Sequence, residues 1–242
     1  MMSSRRVGAA GAVAAVCVLA VLGIAAAQAE QPDESAVIRG VDAAVKARID
    51  GIAAYIVTEH YAVYRNHDET HPVAEMTVKT EYRKETGKNY TILSQSGSEF
   101  IRNHVLETVL DREKTLNLPG IREASWFTSA NYEMKLKPGG VQRMDGRDCL
   151  ALAISPRRKG TNMIEGTLWV DVRDGEIVRL EGSATQSPSI FTGPAQVMRS
   201  YASVNGFAMA TQARAVSDSF LLGQTVVTID YRDYQIQLSP AR

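Results

Sequence analysis

The sequence has few of the residues that cross-link small secreted proteins, since its 242 residues include only two cysteines, Cys17 and Cys149. Cys17 lies in an apolar stretch near the N-terminus. A chain that loses this stretch keeps Cys149 alone and has no partner for an internal disulfide bond. We therefore expect a hydrophobic core to stabilise the fold, and we expect Cys149 to be a small buried residue and not a nucleophile.

The sequence also lacks an excess of charge of either sign, because 27 Lys and Arg side chains stand against 27 Asp and Glu. Removal of residues 1–29 would take away Arg5 and Arg6 and no acidic residue. The remaining chain would then carry a net charge of about −2 with histidine neutral. Proteins that bind nucleic acid usually present a strongly basic face, so we expect no nucleic-acid partner.

Three sequence motifs of catalysis and nucleotide binding are missing. There is no GxSxG nucleophile elbow, and there is neither a GxGxxG nor a Walker A sequence. The carboxylates of Asp230 and Asp233 lie on the outward phase of a predicted strand and are interpreted as solvated. The sequence therefore gives no positive support for catalysis, and we expect a protein that is not an enzyme and has no cofactor.

The segment RNHDETHP, residues 65–72, is the one candidate for a metal site. His67 and His71 could supply two ligands, whereas zinc sites use three or four protein ligands. The HExxH pattern needs a helix, but Pro72 and the strand-like flanks predict a hairpin loop of ordinary turn composition. His60 could lie near the same loop, so a metal-dependent hydrolase stays an alternative. We expect no metal.

The N-terminus has the layout of a secretory signal peptide. Arg5 and Arg6 precede the apolar run 7–27, and Ala27-Gln28-Ala29 forms a small-x-small cleavage site. We expect cleavage after Ala29, and a single periplasmic domain over residues 30–242. An uncleaved membrane anchor is the competing interpretation, and the arginine pair leaves Sec or twin-arginine export open.

A lipid anchor on the protein itself is not expected. A lipobox needs a small residue immediately before its cysteine, and Val16 precedes Cys17. We therefore do not interpret the chain as a lipoprotein.

Two amphipathic helices are predicted. The first spans 36–50 behind a Ser35 cap, with Val37, Val41 and Val45 on one face. The second spans 98–112, where Ser96-Gly97-Ser98-Glu99 has the pattern of a capping box.

The rest of the chain is interpreted as about ten strands. The first, 52–64, is apolar on both faces and predicts a central strand. The others are 76–83, 90–93, 132–136, 149–154, 164–172, 176–182, 196–204, 207–217 and 224–238. The apolar phase changes within the last strand, which indicates a bulge near Arg232. Since no βαβ alternation occurs, we predict an α+β fold with one large antiparallel sheet.

The segment 143–182 carries a recurring pattern of glycines, apolar residues and charges. Its members are Gly146-Arg147, Leu150, Leu152, Pro156, Leu168-Trp169, Asp171, Gly175, Arg179 and Glu181. This pattern resembles the LolA/LolB-like superfamily of periplasmic lipoprotein and lipid carriers, which also includes RseB-type periplasmic regulators. The resemblance implies a half-open β-barrel with two or three helices packed in its concave face and an apolar cavity between.

Two functions follow from this resemblance as expectations. The first is a non-enzymatic, monomeric carrier or binder of acylated lipid or lipoprotein in the periplasm, with a membrane-protein partner as a further expectation. The second is a periplasmic sensor or adaptor that binds a protein partner.

The predicted cavity lining comes from the inward phases of the strands and from the stripe on the first helix. It comprises Met76, Val78, Tyr82, Met134, Leu136, Leu168, Val170, Val37, Val41 and Val45. The competing interpretation is that these residues simply form a packed core.

Overall fold

The chain enters its fold through helix α1, Glu34–Gly51. The computed structural model describes residues 32–158, 160, 163–186, 194–219 and 223–240, so the predicted signal peptide lies outside the described residues. Asp33 caps α1, because its carboxylate accepts a hydrogen bond from the Ser35 backbone N–H at 3.0 Å. The predicted cap at Ser35 is therefore wrong: the acidic side chain two residues earlier accepts a hydrogen bond from one of the free N–H groups. Val41 and Val45 are buried, as the stripe predicts.

The second helical segment consists of three consecutive parts. These are α2 (Glu99–Ile101), a π-helical turn (Arg102–Leu106) and α3 (Glu107–Leu116). The Ser98 hydroxyl accepts the cap hydrogen bond from the Ile101 N–H at 3.4 Å. Ser96 still belongs to the preceding strand, so the capping box predicted from Ser96 is wrong and the cap lies two residues later, at Ser98.

In the described part of the chain, eleven strands make up the sheet. They are β1 (Ile52–Arg65), β2 (Ala74–Arg83), β3 (Gly87–Gly97), β4 (Tyr132–Leu136), β5 (Gln142–Met144), β6 (Arg147–Pro156), β7 (Ile164–Asp171), β8 (Ile177–Ala184), β9 (Gln196–Val204), β10 (Phe207–Ser219) and β11 (Gly223–Leu238). A short 3₁₀ helix, Arg122–Ser125, precedes β4. Only the short β5 was not predicted.

The strands follow the order β3-β2-β1-β11-β10-β9-β8-β7-β6-β4, and β5 pairs with β6. Strand β1 lies inside the sheet, as its two apolar faces predicted. The sheet is not closed, because the end strands β3 and β4 do not pair with each other. The predicted bulge is also present: Ile56 pairs with Gln235 and Thr58 with Arg232, so one residue of β1 faces two of β11.

Two hydrophobic clusters attach the helices to the sheet. Val41 and Val45 of α1 pack with β4, β6, β7 and β8, whereas Leu106 and Leu110 of the second helical segment pack with β1 and β2. One cavity is lined by α1, by α3 and by seven strands, namely β1, β2, β3, β8, β9, β10 and β11, so both helices lie against the same, concave face. This confirms the α+β fold and the half-open barrel. Within the described ranges, no helix has the length and apolarity to cross a membrane.

The polar residues of the 143–182 pattern form a structural network at the β7–β8 turn. The Arg147 guanidinium contacts Asp171 at 2.5 Å, Asp174 at 3.0 Å and Glu176 at 3.2 Å. Gly175 has φ +71°, and a Cβ there would lie 2.5 Å from the Gly40 carbonyl carbon of α1. Gly175 therefore allows the β7–β8 turn to approach α1 closely.

Candidate functional site

The candidate site is the cavity between the two helices and the concave face of the sheet. Its accessible volume is about 230 Å³, whereas a single water needs only roughly 10–15 Å³. Because packed interiors leave few voids larger than a water molecule, this space is larger than an ordinary packing defect, and we take it as the candidate binding site.

One part of the cavity wall is apolar. Helix α1, the loop after the 3₁₀ helix and strand β10 supply most of it. The apolar members are Ala44, Val45, Ile49, Ile52, Leu116, Trp126, Phe127, Ile177, Ala208, Met209 and Ala210. Two aromatic rings and several branched side chains thus form a surface suited to hydrocarbon.

The other part of the wall carries a cluster of four charges, which we call the charged quartet: Glu59, Lys88, Glu113 and Arg199. Lys88 Nζ lies 3.0 Å from Glu113 Oε2 and 3.9 Å from Glu59 Oε1. Arg199 Nη2 lies 3.7 Å from Glu113 Oε1. Each residue comes from a different element, namely β1, β3, α3 and β9, so only the tertiary fold assembles the quartet.

Lys88 and Glu113 hold each other in their ionised forms. Lys88 lowers the pKa of Glu113 to about 2, against the opposing effect of burial. Burial acts to lower the pKa of Lys88, but Glu113, Tyr55, Glu59 and Tyr231 together hold that pKa well above its usual value. A protonated lysine is not a nucleophile, so this geometry favours binding over covalent chemistry.

Tyrosines surround the quartet. The Tyr61 hydroxyl donates to Glu59 Oε2 at 2.5 Å, and the Tyr234 hydroxyl donates to the Ala210 carbonyl at 2.9 Å. Burial raises the pKa of Tyr231 and that of Tyr234. These phenols therefore stay neutral and act as hydrogen-bonding groups at physiological pH.

Two polar atoms of the quartet lack hydrogen-bond partners within the described part of the chain. These are Glu59 Oε1 and Arg199 Nε. The Glu59 side chain is only 3% exposed, and a buried carboxylate oxygen without a hydrogen-bond donor is costly. Both atoms are buried, so one acceptor and one donor of residues in the cavity wall are left without a hydrogen bond.

The predicted cavity residues divide between this site and the core. Val45 and Tyr82 line the cavity. Met76 and Val78 are buried in the cluster under the second helical segment. The remaining six belong to, or pack against, the cluster under α1: Val37, Val41, Met134, Leu136, Leu168 and Val170. A role for these eight in binding acyl chains stays a prediction.

The quartet itself was missed by the search for apolar stripes. One signal was present, since Glu59 interrupts the run IAAYIVTEHYAVY that otherwise reads as a strand buried on both faces. A carboxylate at a buried position needs a partner, but nothing in the sequence identifies Lys88 or Arg199 as that partner.

The segment RNHDETHP forms the hairpin loop between β1 and β2, as predicted. Asp68 Oδ1 accepts hydrogen bonds from the backbone N–H groups of Thr70 and His71, which is the typical arrangement of an Asx turn. Glu69 pairs instead with Arg214 at 2.6 Å. Among the described residues, no group of three or more His, Cys, Asp or Glu is placed to hold a metal ion.

We predict that the purified protein contains no stoichiometric metal. Asp68 and Glu69 already bond to the loop backbone and to Arg214, so the loop does not hold free ligands at a common point. Elemental analysis of protein purified without chelators checks this. Zinc at one equivalent that disappears in a His67→Ala/His71→Ala double variant would contradict the prediction.

Several solved structures are similar to this chain in the path of the backbone. A LolA superfamily protein from Nitrosomonas europaea matches with a TM-score of 0.46 and 11% identity, covering 86% of this chain and 94% of that chain. A putative outer membrane lipoprotein-sorting protein domain from Vibrio parahaemolyticus matches with a TM-score of 0.46 and 14% identity, and the match covers 84% of this chain and 92% of that chain. A chain of the MucA/MucB complex of Pseudomonas aeruginosa matches with a TM-score of 0.28 and 9% identity, and the match covers 84% of this chain and 94% of that chain.

One of these structures is described as a LolA superfamily protein, and this is the superfamily that the pattern in residues 143–182 resembles. No family model matches the sequence, and no curated protein matches it either. Since the identities are 14% or less and the TM-scores lie below 0.5, these matches do not assign a function to the chain.

Proposed function

We propose that the protein is a non-enzymatic periplasmic binder or carrier of an acylated lipid or lipoprotein. The observation that carries this proposal is the cavity of about 230 Å³ between the helices and the sheet, apolar on one side and charged on the other. An amphipathic ligand matches such a wall, with hydrocarbon against Trp126, Phe127 and Met209 and a polar group near the quartet.

The energetics favour an acyl chain over a purely polar ligand. Burial of a methylene group gains about 0.8 kcal/mol, so a chain that inserts only part of its length gains several kilocalories per mole. The half-open sheet leaves room for a ligand whose remaining part stays outside, as the bulk of a lipoprotein would.

The test is binding of a fluorescent acyl chain, measured with two probes that share one labelled chain: the fatty acid and its monoacylglycerol. We predict saturable binding of at least one probe. Ile49→Glu should weaken this binding by about tenfold or more, because an unpaired charge in the apolar wall is costly.

The matched control is Ala43→Glu, on the exposed side of the same helix. It adds the same charge outside the cavity and should leave the affinity unchanged. If a folded protein binds neither probe, or if both variants lose affinity equally, the cavity is not the acyl site.

The periplasmic location rests on the N-terminal sequence. We predict that the mature protein begins at Glu30, since Ala27-Gln28-Ala29 follows the apolar run at the position of a signal-peptidase site. N-terminal sequencing of protein from the native host checks this. Retention of residues 1–29 would identify the apolar run as an anchor.

A sensor or adaptor that binds a protein partner remains the second candidate because of strand β3. This strand ends the sheet, and Ile92 and Leu93 on it are 39% and 57% exposed. An open strand edge with exposed apolar side chains favours the addition of a strand from a partner. Absence of lipid from an organic extract of the native protein, together with failure of both probes, would favour this function.

A further inference from the structure

Most charged side chains in the cavity lining are already paired with other charged side chains of the protein. Within the quartet, two carboxylates face two cations, so the formal charges cancel. Of the other charged lining residues, Arg122 pairs with Glu123 at 3.0 Å and Glu176 with Arg147 at 3.2 Å.

Arg48 is the remaining charged residue of the lining. It lies in the last turn of α1 and is partly exposed. Water therefore screens part of its charge. The part of the cavity formed by the quartet is thus neutral as a whole although it consists of ionised groups.

A net charge on a ligand would remain uncompensated beside the quartet. Transfer of an ionised carboxylate or phosphate out of water is repaid only when an opposite charge stands free to receive it. Here Lys88 already lies between Glu113 and Glu59, and Arg199 already faces Glu113.

The two unpartnered atoms define what the ligand must offer instead. Glu59 Oε1 is an acceptor that needs a donor, and Arg199 Nε is a donor that needs an acceptor. A hydroxyl or an amide group provides both functions without a net charge. A free carboxylate provides only acceptors and would face the Glu59 oxygen with like charge.

We propose that the cavity recognises an amphiphile whose buried polar group is uncharged and both donates and accepts hydrogen bonds, as a hydroxyl or an amide does. The proposal rests on the proposed function and names its ligand class. Glu59 and Arg199 are the residues that distinguish this group from a carboxylate or a phosphate.

The experiment compares the two labelled probes at pH 8, where the fatty acid is ionised and the monoacylglycerol is neutral. The wild-type protein should bind the monoacylglycerol at least about tenfold more tightly. Equal or tighter binding of the fatty acid overturns this inference while the proposed function stands. Failure of both probes with folded protein overturns the proposed function and this inference with it.

Glu59→Gln tests the charge argument with almost no change in volume. The variant leaves the quartet with one excess positive charge, so the affinity ratio should shift toward the fatty acid by about tenfold or more. Glu113→Gln removes the same charge, and it replaces Glu59→Gln as the test variant if Glu59→Gln does not fold. Glu133→Gln, an exposed residue on β4 that pairs with Lys135, is the control and should leave the ratio unchanged. An unchanged ratio in the folded quartet variants contradicts the proposal.

Discussion

Leu168→Ala is expected to lower the free energy of unfolding by about 2–5 kcal/mol, the range for a buried leucine in a packed core. Leu168 is 0% exposed and lies in the cluster under α1. Its neighbours on the adjacent strands are Leu152 on β6 and Leu180 on β8, both buried. Removal of its isobutyl group leaves a cavity that these strands close only in part. Urea denaturation followed by circular dichroism measures the change.

Leu93→Ala is the matched control, because this leucine on β3 is 57% exposed. It should cost well under 1 kcal/mol, since surface substitutions usually change stability by about 0.5 kcal/mol or less. A small cost for Leu168→Ala would place this residue in a ligand-accessible wall, as the sequence analysis supposed. A loss of about 2–5 kcal/mol in the free energy of unfolding assigns Leu168 to the packed core. The cavity beside Trp126 is then the candidate site for ligand binding.

Asp171→Asn is expected to destabilise the protein by about 2–3 kcal/mol at neutral pH. The Asp171 side chain is 0% exposed and contacts Arg147 and Arg173. Loss of one partner from a buried ion pair costs about 3–5 kcal/mol. Arg147 keeps Asp174 and Glu176 as partners, so we place the cost at the lower end of that range or just below it.

The effect should depend on pH in a defined direction. Burial acts to raise the pKa of Asp171, but hydrogen bonds from Arg173 and Arg147 outweigh it and lower that pKa from 3.8 to about 2. A carboxylate whose pKa is lower in the folded state stabilises the protein above the unfolded pKa, and this contribution is lost as pH falls through the folded pKa. The stability difference between wild type and Asp171→Asn should therefore shrink between about pH 4 and pH 2.

Asp148→Asn provides the comparison on the neighbouring strand. Asp148 pairs with Arg143, and both side chains are more than half exposed. Exposed pairs contribute about 0–1 kcal/mol, so this variant should be close to wild type at every pH. A pH-independent loss in Asp171→Asn would mean that packing, and not the charge, accounts for the cost.

The sequence by itself determined those features that depend on neighbours along the chain. Alternation in 76–83 and 164–172 predicted strands, the valine stripe predicted the buried face of α1, and the phase change near Arg232 predicted the bulge. These patterns report side-chain direction, which has a fixed period in each element. Cys149 was correctly expected to be buried because a free cysteine behaves as a small apolar residue, and burial raises the pKa of its thiol to about 11.

Helix starts were predicted less well, because neighbouring polar side chains compete for the same free N–H groups. Asp33 and Ser98 are the caps, whereas Ser35 and Ser96 were expected. Each choice depends on where the preceding segment ends, and for β3 the pairing with β2 extends that strand to Gly97.

Only the tertiary structure decided which apolar residues fill the core and which face a cavity. The pattern of Val45 does not differ from that of Val41, yet Val45 lines the cavity and Val41 is closed off in the cluster. The cavity borders only the C-terminal half of α1, from Ala44 to Ile49, and the position of the helix over the sheet depends on contacts between remote parts of the chain. The quartet has the same origin: Glu59 and Arg199 are separated by 140 positions, and the order of the strands, with β1 beside β11, brings them to one wall of the cavity.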